Sequence, residues 1–307
     1  MAVYTKITAA EMTAHLKNYS LGEFVSFKEI IDGIDNSNFI LETAQGKFIF
    51  TIFEARIDKK TLPFFMDFKL HLAKNGIACP RPMLDNQGLA VVDFKNKKSS
   101  IVSFLNGKST QKISANHCFE VGKFLAKMHL AAKDFHEQRE NELGIKGWKP
   151  LFSKFEHLIE GYQKNLRVEI LEYLNFLEES WRFDLLSAVT HLDFFPDNVF
   201  FDENEKVSGA IDFYFAATDA LIYDFAVVVV AWCDDEEKFL KLFEGYESQR
   251  KFSEVEKDFL KTALVGASMR FLLTRLHDMF FTPKDSFVNI KDPQEYLRKL
   301  RFFAKNL

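Results

Sequence analysis

The sequence predicts an α+β chain in two lobes, a small sheet-rich lobe over residues 1–105 and a larger, mainly helical lobe over residues 106–307. Three observations predict it. Short apolar segments with strand-like alternation crowd the N-terminal third, helical periodicity dominates the remainder, and one polar hairpin near residues 191–214 interrupts the helices.

Taken in order, Glu11 to Asn18 reads as a first helix that ends before Gly22. Phe24–Ile31, Ser37–Thr43 and Lys47–Phe53 read as strands, separated by Gly33 and by Ala44-Gln45-Gly46. Leu62–Asn75 places Leu62, Phe65, Phe68 and Leu72 on one helical face and stops at Gly76. Strands near Leu89–Phe94 and Ser100–Leu105 complete an expected five-stranded antiparallel sheet with one inserted helix. Beyond Asn106-Gly107, helical periodicity covers 115–132, 148–164, 168–182, 219–233, 236–246 and 253–279.

The interrupting stretch carries the chemistry. It reads His191-Leu192-Asp193-Phe194-Phe195-Pro196-Asp197-Asn198, then Ile211-Asp212-Phe213-Tyr214. Val199-Phe200-Phe201 and Val207–Ile211 form two short strands around the turn Asp202–Glu205, a hairpin that would bring Asn198 and Asp212 side by side near Asp193. Phosphoryl transfer needs a group that orients the attacking hydroxyl or takes its proton, and hard oxygen ligands for Mg²⁺ on the nucleotide. Asp193 is the candidate base, Asn198 and Asp212 the metal ligands, and His191 a residue that pins the loop. Ordinary turn chemistry explains a lone Asp or Asn, but not the three at this spacing. Paired-carboxylate chemistry on Asp193 and Asp212 leaves Asn198 without a role.

This pattern, H-x-D-x-x-x-x-N followed by I-D-F, resembles the protein-kinase-like fold in its aminoglycoside phosphotransferase and choline kinase branch. Phe195 stands where protein kinases usually carry a Lys, which favours a small-molecule acceptor. Further segments extend the resemblance along nearly the whole chain: Gly33–Phe39, Leu62-Pro63-Phe64-Phe65, Cys79-Pro80-Arg81-Pro82, Ile211–Ala216 and Arg270–Leu276. Together they look like the phosphotransferase-like family of bacterial homoserine kinases. The resemblance implies ATP and Mg²⁺ as cofactors and L-homoserine as the small-molecule acceptor. It further implies an adenine-binding hinge at Ser103-Phe104-Leu105 and an Asp224 that supports the catalytic-loop backbone.

In such folds a loop between the first two strands covers the phosphates. Gly33, Asn36, Ser37 and Asn38 suit that turn, because Gly tolerates positive φ and Asn and Ser supply donors. The family's phosphate-binding Lys is expected late in the third strand, where Thr51 stands; Lys47 and Arg56 are the available cations. On the acceptor side, Arg270 and Arg275 lie among apolar residues of one helix, and a guanidinium there requires a partner such as the substrate carboxylate. Arg275 could instead pair with Asp278, so Arg270 is the preferred clamp.

Composition bounds the rest. A formal charge of −4 with no basic tract gives no reason to expect a nucleic-acid partner. Cys79, Cys118 and Cys233 show neither a C-x-x-C pair nor metal spacing, which suits a reducing cytoplasm. Residues 1–20 are mixed polar without the apolar core of a secretory signal, and the apolar run Phe225–Cys233 is too short to span a bilayer, so no membrane partner is expected. The 35 phenylalanines recur at strand and helix spacing and read as core.

Overall fold

The structure is a computed structural model that describes residues 4–30, 36–54, 58–283 and 291–305. The chain forms two compact units. The first runs to Gly107 and includes Ser208–Ile211; the second comprises Lys108–Val207 and the chain from Asp212 onward.

The first unit is built on an antiparallel sheet. Helix α1 (Ala9–Leu16) opens it, with a reciprocal capping box between Thr8 and Glu11. Strands β1 (Phe24–Ile30), β2 (Asn36–Thr43) and β3 (Gly46–Phe53) form a meander. Helix α2 (Leu62–Lys74) follows, then β4 (Pro82–Met83), β5 (Val92–Phe94) and β6 (Lys97–Ser103). The sheet order is β1-β2-β3-β6-β4, with β5 also on β6. Five strands match the expectation in kind. The sixth, β4, is two residues long and pairs Pro82 and Met83 with Val102 and Ile101. Proline is tolerated there because an edge strand can spare one N–H.

Alternation decides which face is buried. Phe39 and Leu41 of β2 and Phe50 and Ile52 of β3 point into one core with Met12 and Leu16 of α1. Phe50 meets Phe94 edge-to-face at 5.2 Å between centroids. The predicted face of α2 is buried as well: Leu62, Phe65, Phe68 and Leu72 are all enclosed.

The second unit is mainly helical: α3 (Ala115–Ala132), α4 (Ile145–Ser153), α5 (Ile159–Tyr162), α6 (Leu166–Ser180), α7 (Leu221–Trp232), α8 (Glu236–Glu247), α9 (Glu254–Phe281) and α10 (Pro293–Ala304). Every residue of α7 except Ala231 is buried, which explains the apolar run as a central helix. Helices α3 and α8 approach closely through glycine. A Cβ added at Gly122 would lie 2.1 Å from the Leu242 carbonyl, and one at Gly245 would lie 2.0 Å from the Phe119 carbonyl. No helix among the described residues is long and apolar enough to cross a membrane.

Two expectations fail here. The continuous helix over 148–164 is broken into α4, a 3₁₀ turn at Glu156–Leu158, and α5. Phe155 leaves helical geometry at φ −135° and buries its ring against Phe152 and Phe280, so tertiary packing overrides the periodic pattern. The helix expected from Asp219 starts at Leu221 instead. Residues Ala217–Ala220 form a strand, β10, that pairs antiparallel with β7 (Ser187–Thr190). The N-cap position of α7 is held by Ala220. The expected hairpin forms from β8 (Val199–Phe201) and β9 (Val207–Ala210), its turn held by Asp202, whose Oδ1 accepts the N–H groups of Asn204 and Lys206.

Candidate active site

The pairing of β7 with β10 is what assembles the polar residues. Thr190 stands opposite Ala217, so the loop starting at His191 leaves the ladder beside the segment 212–216 that enters it. His191 is fully buried and its ring touches both halves of the motif, 4.6 Å from Phe213 and 5.1 Å from Phe194. Its Nδ1 accepts the Asp193 N–H at 3.2 Å. His191 thus lies against the residue that follows Asp212 while holding the backbone of Asp193.

Leu192 adopts φ +61°, a left-handed conformation that is costly for a branched residue and persists only where the surroundings enforce it. The enforcement is visible. Its N–H donates to Asp224 Oδ1 at 2.8 Å, and its carbonyl accepts from Arg270 Nη1 at 2.5 Å. The His191 N–H donates to Asp224 Oδ2 at 3.2 Å, and Trp232 Nε1 donates to the Phe194 carbonyl at 2.7 Å. Four consecutive loop residues are therefore held by hydrogen bonds to His191, Asp224, Arg270 and Trp232.

Asp224 sits in the first turn of α7, fully buried, and its Oδ2 also pairs with His129 Nε2 at 2.9 Å. Burial alone would raise its carboxyl, but the His129 hydrogen bond, the charges of His129 and His191 and the Leu192 N–H outweigh that and hold it below the usual range. Behind it, His129 Nδ1 meets Tyr246 Oη at 2.8 Å, and Arg250 links Tyr246 to Glu256. His129 and Trp232 escaped sequence reasoning. A buried histidine on the inward face of α3 was the available signal for the first, and none marked the second.

The side chain of Asp193 remains partly open. Its surroundings desolvate it and push the carboxyl up to about 6; Arg270 opposes the shift, Asp197 adds to it, and Lys291 and Arg275 oppose it. Asn198 donates its Nδ2 to the Asp193 carbonyl at 2.8 Å and to Oδ2 at 3.3 Å. With Nδ2 so engaged, the Asn198 Oδ1 makes no hydrogen bond among the described residues. Asp212 is exposed and left-handed at φ +63°, with Phe213 buried beneath it. One amide oxygen and one carboxylate are hard donors that suit Mg²⁺. Among the described residues no group of three or more His, Cys, Asp or Glu could hold a metal, so phosphate and water oxygens would complete the shell.

The remaining predicted residues fall in three places. Arg270 is buried and braces Leu192, while Arg275 lies half-buried over the Tyr296 ring. Asn36, Ser37 and Asn38 open β2. Ser37 is enclosed, accepts the N–H groups of Tyr4 and Thr5, and donates to Glu54 Oε1 at 2.7 Å. Asn38 Oδ1 accepts from Thr51 Oγ1 at 2.8 Å. Lys47 is exposed at the other end of β3, opposite Glu42 and four residues before Thr51, roughly 13 Å along an extended strand. The structure does not bring Lys47 together with Asn38. Gly33 and Arg56 lie outside the described residues.

The Ser103–Leu105 segment is held in a specific way. The Ser103 N–H donates to the Arg81 carbonyl and its Oγ accepts the Arg81 N–H, whereas the backbone of Phe104 and Leu105 makes no hydrogen bond among the described residues. Gly209, at φ +154°, supports this stretch from β9. A Cβ there would lie 2.7 Å from a Leu105 methyl carbon and 2.7 Å from the Ala78 carbonyl, and Ser208 Oγ donates to the Asn106 carbonyl at 2.7 Å.

Comparison with known proteins places this geometry. Residues 26–255 match the model of the phosphotransferase enzyme family. The homoserine kinase of Brucella canis (strain ATCC 23365) is 42% identical over 308 residues, covering 98% of this chain and 94% of the relative, and that of Brucella abortus (strain 2308) gives the same figures. Among solved structures, spectinomycin phosphotransferase in complex with ADP and spectinomycin aligns with a TM-score of 0.70 at 13% identity, over 98% of this chain and 95% of the other. Choline kinase from Cryptosporidium parvum Iowa II aligns at 0.67 and 14% identity, over 97% and 95%. The two structural neighbours share the fold; the Brucella relatives share the sequence from end to end. The chain belongs to the phosphotransferase enzyme family, alongside the homoserine kinases.

Proposed function

We propose that this protein transfers the γ-phosphoryl group of ATP to the hydroxyl of L-homoserine, giving O-phospho-L-homoserine and ADP, a cytoplasmic step toward threonine. The observation that carries the reading is the 42% identity to Brucella homoserine kinases across 98% of the chain.

The residues divide the work. A carboxyl raised to about 6 is ionised at neutral pH yet basic enough to receive a proton, so Asp193 orients the acceptor hydroxyl and takes its proton as the new O–P bond forms. The bond from the γ-phosphorus to the bridging oxygen breaks in line, and ADP departs with that oxygen. Asn198 and Asp212 would hold Mg²⁺, which when bound neutralises charge on the phosphates. Asp224, His191 and Arg270 keep the loop backbone rigid enough to aim Asp193. The open backbone groups of Phe104 and Leu105 would face adenine. Lys47, at the far end of its strand, is left out of the phosphate site.

The test is coupled ADP release with Mg·ATP against L-homoserine, L-serine, L-threonine, choline and kanamycin. Turnover confined to L-homoserine is expected. Turnover on another acceptor with none on L-homoserine would discard the substrate.

A further inference from the structure

The loop that presents Asp193 rests on a row of aromatic rings. Phe195 meets Phe271 at 4.9 Å between centroids, and Phe271 meets Tyr296 at 5.1 Å. Each ring carries a cation: Lys291 lies 5.5 Å from the centroid of Phe195, Arg270 4.9 Å from Phe271 and Arg275 5.7 Å from Tyr296. The three cations are not equivalent. Arg270 is buried and donates to the Leu192 carbonyl, so it serves the loop. Arg275 is half-buried, its Nε is enclosed, and that atom makes no hydrogen bond among the described residues. No carboxylate pairs with it there either. Asp278, one turn along α9, lies instead beside His277 at 3.8 Å. Lys291 is exposed.

A half-buried guanidinium without an anion is a poor resting state for a folded protein, and a planar fork over an aromatic ring keeps its N–H edges for bidentate contact. The ring row ends at Phe195, two residues from Asp193, which sets these cations along the side of the loop that presents the Asp193 carboxylate. An α-amino acid with a side-chain hydroxyl carries its carboxylate a few bonds from that hydroxyl. We infer that Arg275, assisted by Lys291, clamps the acceptor's α-carboxylate, and that Arg270 braces the loop instead of binding substrate. The inference rests on the proposed amino-acid acceptor and selects which cation reads it. A terminal phosphate of the nucleotide offers the same charge, so the test separates the two anions.

The experiment compares kcat/KM for L-homoserine with that for 3-aminopropan-1-ol, which lacks only the carboxylate, in wild type, R275M, R275K and K291Q. Wild type should prefer L-homoserine by at least 100-fold. R275M should lose most of that preference, with activity on the amino alcohol and the KM for ATP within threefold of wild type. R275K should recover part of the preference, and K291Q should raise the KM for L-homoserine several-fold; Lys291 is exposed, so this variant guards against loss of fold. An unchanged preference in both R275M and K291Q overturns the clamp while leaving the reaction intact. A raised KM for ATP with the preference kept assigns the cations to phosphate and also overturns it. Wild type inactive on L-homoserine removes the acceptor itself, and the clamp with it.

Discussion

The Asp224 carboxylate accepts the Leu192 N–H at 2.8 Å and so holds a buried leucine in left-handed backbone geometry, one residue before Asp193. That single contact joins the first turn of α7 to the loop after β7. Asp224→Ala should therefore strand two backbone donors and His129 in the interior. The expected cost is about 3–5 kcal/mol in denaturant unfolding, the range for breaking a buried charged network. A loss below about 1 kcal/mol would show that the network contributes little.

The same carboxylate sets an acid limit. Its folded-state pKa is depressed, so the unfolded chain binds the proton more tightly. The stabilisation is complete above the unfolded value of about 3.9 and drains away as pH falls through the lower folded value. Acid titration of unfolding free energy should show wild type losing stability in that window more steeply than Asp224→Asn. Parallel curves for the two proteins would remove Asp224 from the acid transition.

Asp193→Asn keeps the shape of the loop but removes the proposed proton acceptor. Turnover should fall by about 10²–10⁴-fold, the usual worth of a positioned general base, with nucleotide affinity nearly unchanged. Wild-type turnover in this variant would end the assignment.

Asp212→Ala separates metal binding from loop architecture. Asp212 is exposed but left-handed at φ +63°, so the stability loss should be no more than about 1–2 kcal/mol, the cost of placing Ala there. Affinity for Mg·ATP in titration calorimetry should drop about tenfold or more, as loss of a charged Mg²⁺ ligand implies. Equal affinity in the two proteins would place the metal elsewhere.

Gly122→Ala tests the helix approach that supports His129 from behind. The added carbon would meet a backbone carbonyl at 2.1 Å, so α3 and α8 must separate. Thermal or urea unfolding should register about 1–3 kcal/mol of overpacking. Gly161→Ala is the control, because nothing lies within 4 Å of its added carbon.

Much of this was legible in the chain. Alternation in Phe39–Leu41 and Phe50–Ile52, and the 3.6-residue repeat in Leu62–Leu72, report burial directly, because each local period has one apolar face. The spacing of Asp193, Asn198 and Asp212 was equally plain, since a hairpin with a short turn links them within a few residues.

What the tertiary structure alone decided depends on distant partners. Strands β7 and β10 are four residues each and pair across an intervening hairpin, so neither has a local pattern strong enough to outweigh helix. Phe155 breaks a periodic segment because Phe280, far along the chain, fills the space beside it. In sequence Arg270 was the preferred clamp, because Arg275, five positions along the same apolar helix, had Asp278 within reach. Only three-dimensional packing gives Arg270 the Leu192 carbonyl and sets Arg275 over Tyr296, with no carboxylate paired to it among the described residues. Local periodicity is a property of neighbouring residues and can be read from them; the satisfaction of a buried charge is a property of whatever the fold brings alongside it.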